Sequence, residues 1–248
     1  MAYKQKIEAK VLRSFINWFK TASSGAIADL VTVMTLTDPQ KRARGGITAF
    51  IVEKVTRGFS VGKHEKKMGL RGSTTTELIF EDCEVPVENV IGGEARIGQG
   101  FKTAMRVLDK GRLTLAASSV GMAQKALELA TQYSKDRVQF GQPICQFQLI
   151  QGMLAQMATE IFAGRQMVYR TAWEKDQGKD VTMEAAMSKL YCTEMLGRVV
   201  DMALQIHGGM GYMKEFAIER MYRDARVVRI YEGSSEIQKI VIARELLK

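Results

Sequence analysis

The hydrophobic pattern of this chain changes period once, near residue 95, and that change limits the fold more than any other feature. Before it lie three β-branched, apolar runs: Leu30-Val31-Thr32-Val33-Met34-Thr35-Leu36, Ile47-Thr48-Ala49-Phe50-Ile51-Val52 and Thr76-Glu77-Leu78-Ile79-Phe80. Turn signals at Asp38-Pro39, Gly45-Gly46 and residues 69–73 separate them. Branched side chains pack well on a pleated surface, and Gly and Pro mark chain reversals, so these runs read as strands. They are too close together for crossover helices, which predicts a mostly antiparallel sheet.

Beyond residue 97 apolar residues recur every three or four positions. Phe101, Ala104, Met105 and Leu108 form one stripe, and Phe147, Ile150, Leu154, Met157 and Ile161 form a second. A third helical stretch over about 182–205 runs into Gly208-Gly209, a helix stop. Shorter helices are predicted over 217–223 and 235–247. Three long amphipathic helices and a terminal one bury their stripes only against each other, which predicts a C-terminal four-helix bundle. The fold class is therefore α+β, mainly α, with a partial β-domain over 23–95 ahead of a helical domain over 96–248. Residues 5–22 place Ile7, Val11, Leu12, Phe15, Ile16 and Phe19 at helical spacing, with Lys6, Lys10, Arg13 and Lys20 off that stripe. Residues 1–22 are thus expected to be a basic amphipathic helix.

Several function classes drop out. The chain has 3 Cys, at Cys83, Cys145 and Cys192, with no C-x-x-C pair, and 2 His. This argues against a disulfide framework, a metal centre and a secreted protein. No apolar run approaches membrane-spanning length. The net charge of +9 is spread along the chain without aromatic interleaving, which argues against nucleic-acid binding.

One segment points to chemistry. In Ile230-Tyr231-Glu232-Gly233-Ser234-Ser235-Glu236-Ile237-Gln238 a carboxylate sits between an aromatic ring and a glycine, just before a helix start. Apolar neighbours disfavour the charged form and raise a carboxyl pKa toward that of a working general base. Glycine admits close backbone approach, and a helix start offers hydroxyl and N–H groups to a polar ligand. Standing alone, the segment reads first as a tight turn before a surface helix, and only its neighbours along the chain can overturn that.

It does not stand alone. Lys66-Lys67-Met68-Gly69-Leu70-Arg71-Gly72-Ser73, Phe80-Glu81-Asp82-Cys83-Glu84-Val85-Pro86, Gly98-Gln99-Gly100-Phe101, Asp109-Lys110-Gly111-Arg112, Arg137-Val138-Gln139-Phe140-Gly141 and Gln205-Ile206-His207-Gly208-Gly209 precede it in order. With these motifs the chain resembles the acyl-CoA dehydrogenase family, most closely its fatty-acyl members. The resemblance implies that Glu232 removes the α-proton of an acyl-CoA thioester while a hydride passes from the β-carbon to FAD, giving a trans-2-enoyl-CoA. It implies substrate contacts at Asp109, Arg112, Tyr231 and Gly233. It implies cofactor contacts at Arg137, Gln139, Phe140, Gln205, Ile206, His207, Gly208, Gly209, Ser234, Ser235, Glu236 and Ser23, some of them serving a neighbouring subunit's FAD. Read singly, Arg137 is also a helix-end charge, Asp109 and Arg112 a helical ion pair, and His207 a structural histidine.

The resemblance further implies a homodimer or homotetramer, with an electron-transfer flavoprotein as electron acceptor. It implies the cytoplasm if the source is bacterial and the mitochondrial matrix if it is eukaryotic. The family's N-terminal helical domain and the start of its β-domain have no counterpart here, and residues 1–22 show no match. Its Trp-Ile-Thr/Ser-Asn-Gly-Gly signature appears as Thr21-Ala22-Ser23-Ser24-Gly25-Ala26. Two further expectations follow: a heteromer whose partner supplies the missing half, or a catalytically impaired relative that acts as an assembly module.

Overall fold

In the computed structural model, which describes residues 4–7 and 21–248, the chain divides between Val107 and Leu108 into two units. The first unit holds strands β1 (Lys4–Ile7), β2 (Thr21–Ser23), β3 (Leu30–Leu36), β4 (Ile47–Glu53), β5 (Phe59–His64), β6 (Thr75–Phe80) and β7 (Cys83–Pro86). They form three small antiparallel sheets, β1–β7, β2–β6–β5 and β3–β4. The β3–β4 hairpin pairs Leu30 with Glu53 at one end and Leu36 with Ile47 at the other. Val33, Phe50, Val52, Phe80, Cys83, Val85 and Val90 make the core of this unit, and the Phe59 and Phe80 rings lie 5.0 Å apart at a tilt.

β1 corrects one expectation. Lys4 to Ile7 pair antiparallel with β7, Lys4 opposite Pro86 and Ile7 opposite Cys83, where the spacing of Ile7 and Val11 predicts helix. An unpaired strand edge offers a row of backbone donors and acceptors, and such pairing overrides a weak local helical preference. Residues 8–20, the rest of that expected helix, lie outside the described residues.

The second unit is helical. It contains most of α1 (Gly100–Asp136), then α2 (Gln148–Asp176), α3 (Thr182–His207), α4 (Ala217–Ala225) and α5 (Ser235–Leu246). A two-residue hairpin, β8 (Val138–Gln139) and β9 (Gln142–Pro143), joins α1 to α2. α3 is the central element and packs on α2, α4 and α5. Its inward residues Cys192, Met195, Leu196, Val199, Val200, Ala203 and Ile206 meet Met157, Ile161 and Val168 of α2. α1 presents Ala116, Ala123, Ala126 and Ala130, all fully buried, and small side chains let helices approach closely. Gly164 does the same on α2, since a methyl group there would touch Met195 and Val120 at 3.2 and 3.4 Å.

Candidate active site

The chain leaves the short 3₁₀ turn Arg226–Arg229 and must reverse to enter α5. It does so at Glu232 and Gly233, with φ of 55° and 88°. Gly233 has two reasons to be glycine, because a side chain there would also press Gln238 Nε2 at 2.7 Å. Glu232 has no such freedom, and a left-handed non-glycine residue costs roughly 1 to 2 kcal/mol. The surroundings hold it there. Gln238 Nε2 donates to the carbonyls of Glu232 (3.2 Å) and Gly233 (2.9 Å), and Lys189 Nζ donates to the Gly233 carbonyl (2.8 Å).

The helix start is anchored to α3 as well. Ser234 is the N-cap residue of α5. Ser235 Oγ donates to Glu194 Oε1 at 2.6 Å, and Arg229 Nη1 donates to Glu194 Oε2 at 3.1 Å. Burial pushes the Glu194 carboxyl up, but the hydrogen bonds from Ser235 and Arg229 outweigh it and hold the group below its ordinary value. Ser235 is itself buried, and its hydroxyl is engaged in this internal network. Glu236 is exposed beside it.

The Glu232 side chain lies against α1 at Gly111. A methyl group at 111 would stand 2.9 Å from Glu232 Cδ and 3.1 Å from Oε1. Glycine leaves room for the carboxylate in this position, and any side chain there would displace it. Glu232 Oε2 is buried and has no hydrogen-bond partner among the described residues. Burial pushes the Glu232 carboxyl above its ordinary value, against the opposing pull of Lys189 and Arg112. Burial and the Glu232 charge together push the neighbouring Tyr231 hydroxyl up. A buried oxygen without a partner costs about 1 to 3 kcal/mol, and such groups persist where function uses them. Of the expected substrate contacts, Arg112 is buried one residue from Gly111, and Asp109 lies on the same helix one turn earlier, with its side chain outside the description.

The remaining expected residues gather at another end of the bundle. The β8–β9 turn is Phe140-Gly141, with φ of 52° and 82°, the positive pair of a tight hairpin turn. Phe140 is 94% exposed, with its ring edge-on to Phe147 at 6.1 Å. Arg137 and Gln139 are exposed beside it. At the end of α3, Gln205, Gly208 and Gly209 are exposed, and Gly208 turns at φ 56°. Ile206 and His207 are not exposed. Ile206 belongs to the core, and His207 bonds through Nδ1 to the Ala203 carbonyl (2.7 Å) while stacking on Tyr133 at 4.4 Å. Their side chains are therefore committed to the interior, and the exposed residues of this loop are Gln205, Gly208 and Gly209. The stacking also brings the two segments together, because the Arg137 N–H bonds back to the Tyr133 carbonyl (2.9 Å). Lys189 and His207 lie on one helix, so at 1.5 Å per residue the Glu232 site and this end are about 27 Å apart. Ser23 belongs to the first unit, at the end of β2 opposite Thr75.

Lys189, Glu194 and Gln238 go unread in the sequence, although a lysine at a core-facing position of an apolar helix signals a buried partner. Among the described residues, no group of three His, Cys, Asp or Glu could hold a metal ion, and no helix is long and apolar enough to cross a membrane.

Comparison with known proteins gives one answer. Residues 98–247 match the acyl-CoA dehydrogenase C-terminal domain, and residues 3–83 match the acyl-CoA dehydrogenase middle domain. The second match corrects the separation of residues 1–22 from the family. The acryloyl-CoA reductase (NADH) of Anaerotignum propionicum is 50% identical over 226 residues, 91% of this chain and 56% of that protein. The solved structure of butyryl-CoA dehydrogenase from Megasphaera elsdenii aligns with a TM-score of 0.87 at 46% identity, covering 91% of this chain and 58% of that one. An acyl-CoA dehydrogenase complexed with FAD from Bacillus anthracis aligns with a TM-score of 0.82 at 37% identity, covering 91% and 40%. The chain thus spans little more than half the length of the first two relatives, and less of the third.

Proposed function

This chain belongs to the acyl-CoA dehydrogenase family, and from that premise we propose that it carries out the α,β-dehydrogenation of an acyl-CoA thioester to the trans-2-enoyl-CoA, with Glu232 as the base. One observation supports this above the others: the buried Glu232 Oε2, without a partner, beside a glycine that leaves it room. A base that removes a weakly acidic α-proton must be close to water-free and hold a pKa near the working pH, and burial moves Glu232 in that direction. Lys189 and Arg112 oppose burial and keep the carboxylate form accessible. Arg112 and Asp109 on α1 would hold the thioester end of the substrate, with Tyr231 and Gly233 flanking it.

The residues present fit FAD. The turn at Gly208, with nothing within 4 Å of a side chain added at Gly208 or Gly209, lets a ligand approach the backbone. Arg137, Gln139 and Phe140 would hold the diphosphate and adenosine, with Gln205 and the backbone of 206–209. Within the helical unit Ser234 and Glu236 would lie toward the flavin, and within the first unit Ser23 is the candidate flavin contact. When bound, FAD supplies the acceptor for the hydride that leaves the β-carbon. The acryloyl-CoA reductase among the relatives runs the reverse conversion by name, and protonated Glu232 is equally placed to return a proton to the α-carbon.

The separation of about 27 Å between Glu232 and the 205–209 loop supports an oligomer in which each chain serves its neighbour's FAD. The exposed Phe162, Tyr169 and Trp173, spaced on one face of α2, support a subunit contact. Electrons would leave through an electron-transfer flavoprotein, and the relatives being bacterial supports a cytoplasmic protein. The test is anaerobic mixing of the FAD-loaded protein with acyl-CoA. The flavin absorbance should bleach, and Glu232→Gln should slow bleaching at least about 100-fold. Equal bleaching by both proteins rejects Glu232 as the base.

A further inference from the structure

Lys189 is fully buried on α3, between Ser188 and the apolar face at Cys192. A buried ammonium is unfavourable unless its surroundings use the charge, and a methionine of equal length would fill the same space. Its hydrogen bond alone does not explain it. The Gly233 carbonyl that Lys189 holds at 2.8 Å already accepts a bond from Gln238 Nε2 at 2.9 Å. What lysine adds is positive charge at the turn that carries Glu232.

We propose that Lys189 is a positioning residue for proton abstraction: its ammonium pins the Gly233 carbonyl, which fixes the left-handed Glu232 turn against Gly111 and sets a positive charge beside the buried carboxylate. The proposal rests on the reading of Glu232 as the base. The charged groups around Lys189 are Glu194 on its own helix, Arg112 on α1, Glu232 in the turn and Glu236 on α5. Burial lowers the Lys189 ammonium to about 8, although Glu194 and Glu232 pull it back up. The lysine is therefore charged at neutral pH, and Glu232 feels it as an opposing influence against its own burial.

The test compares wild type with Lys189→Met and Lys189→Gln. The first variant keeps the length without the charge or the donor. The second restores a donor without the charge, and serves if the first fails to fold. The Glu232 carboxyl is followed by pH titration with ¹³C-labelled glutamate NMR, its signal identified by its loss in Glu232→Gln. Flavin bleaching is measured over the same pH range. The Glu232 midpoint should rise by about one unit in both variants, a tenfold change in ionisation, and the low-pH limb of the bleaching rate should rise with it. Lys189→Arg should return both toward wild type. An unmoved midpoint overturns the role of Lys189 while leaving Glu232 as base. A midpoint that moves without the rate limb following overturns it too, and traces the failure to Glu232.

Discussion

The contact between Gly111 and Glu232 yields a prediction that needs neither substrate nor cofactor. Gly111 lies inside α1, where alanine normally stabilises a helix by about 1 kcal/mol. Here the atom nearest the added methyl would be Glu232 Oε2, with Cδ at 2.9 Å, so the carboxylate must retreat by roughly 1 Å to reach ordinary contact. Its turn is held by Lys189 and Gln238, so that retreat resembles overpacking, at about 1 to 3 kcal/mol. Gly111→Ala should therefore range from neutral to about 2 kcal/mol destabilising. In a Glu232→Gly background the obstacle is gone and glycine suits the left-handed turn, so the same alanine should stabilise by about 1 kcal/mol. Urea unfolding of the four proteins gives the coupling, expected at about 1 to 3 kcal/mol. An alanine effect equal in both backgrounds to within about 0.5 kcal/mol refutes the geometry.

Other predictions follow from the same site. Glu232 is raised above its ordinary 4.5, so above that pH the unfolded chain loses a proton that the folded chain keeps, and stability falls as pH rises through the window. In Glu232→Gln that fall should be absent, so the variant's advantage over wild type in thermal unfolding should grow with pH. Lys189 has the opposite sign: between about 8 and 10.5 the unfolded chain holds the extra proton, so stability rises with pH. Lys189→Met should remove that rise, about 3 kcal/mol in all, measured by urea unfolding at two pH values. Phe140→Asn should stabilise the hairpin by about 1 kcal/mol, because asparagine tolerates φ near 52°, while weakening FAD retention on gel filtration.

The parts of this fold legible in the sequence are those whose side-chain pattern is repeated. β3, β4 and β6 are runs of β-branched residues, and α1, α2 and α3 repeat their stripes over many turns. β5 and β7 are not legible. β7 has four residues, and β5 carries Gly62 and a register shift between Val61 and His64, so neither shows a sustained period. β1 escapes for another reason, since its partner lies almost eighty residues away and pairing outweighs local preference.

The site divides similarly. Glu232 and Gly233 are legible only through the ordered motifs that precede them, since alone the pair reads as a turn. Lys189, Glu194 and Gln238 matter only through contacts across forty-odd positions or from the next helical turn, which spacing does not reveal. His207 shows the converse: a polar residue in a segment proposed to bind FAD, whose ring is committed to Tyr133 and Phe216.

The central claim is that Glu232 takes the α-proton. The most direct measurement is the anaerobic bleaching rate of the FAD-loaded protein with acyl-CoA deuterated at the α-carbon or left unlabelled. Wild type should bleach several-fold more slowly with the deuterated substrate, and Glu232→Gln should leave the flavin oxidised with both. A wild-type rate indifferent to α-deuterium, together with a Glu232→Gln protein that bleaches normally, would contradict the account.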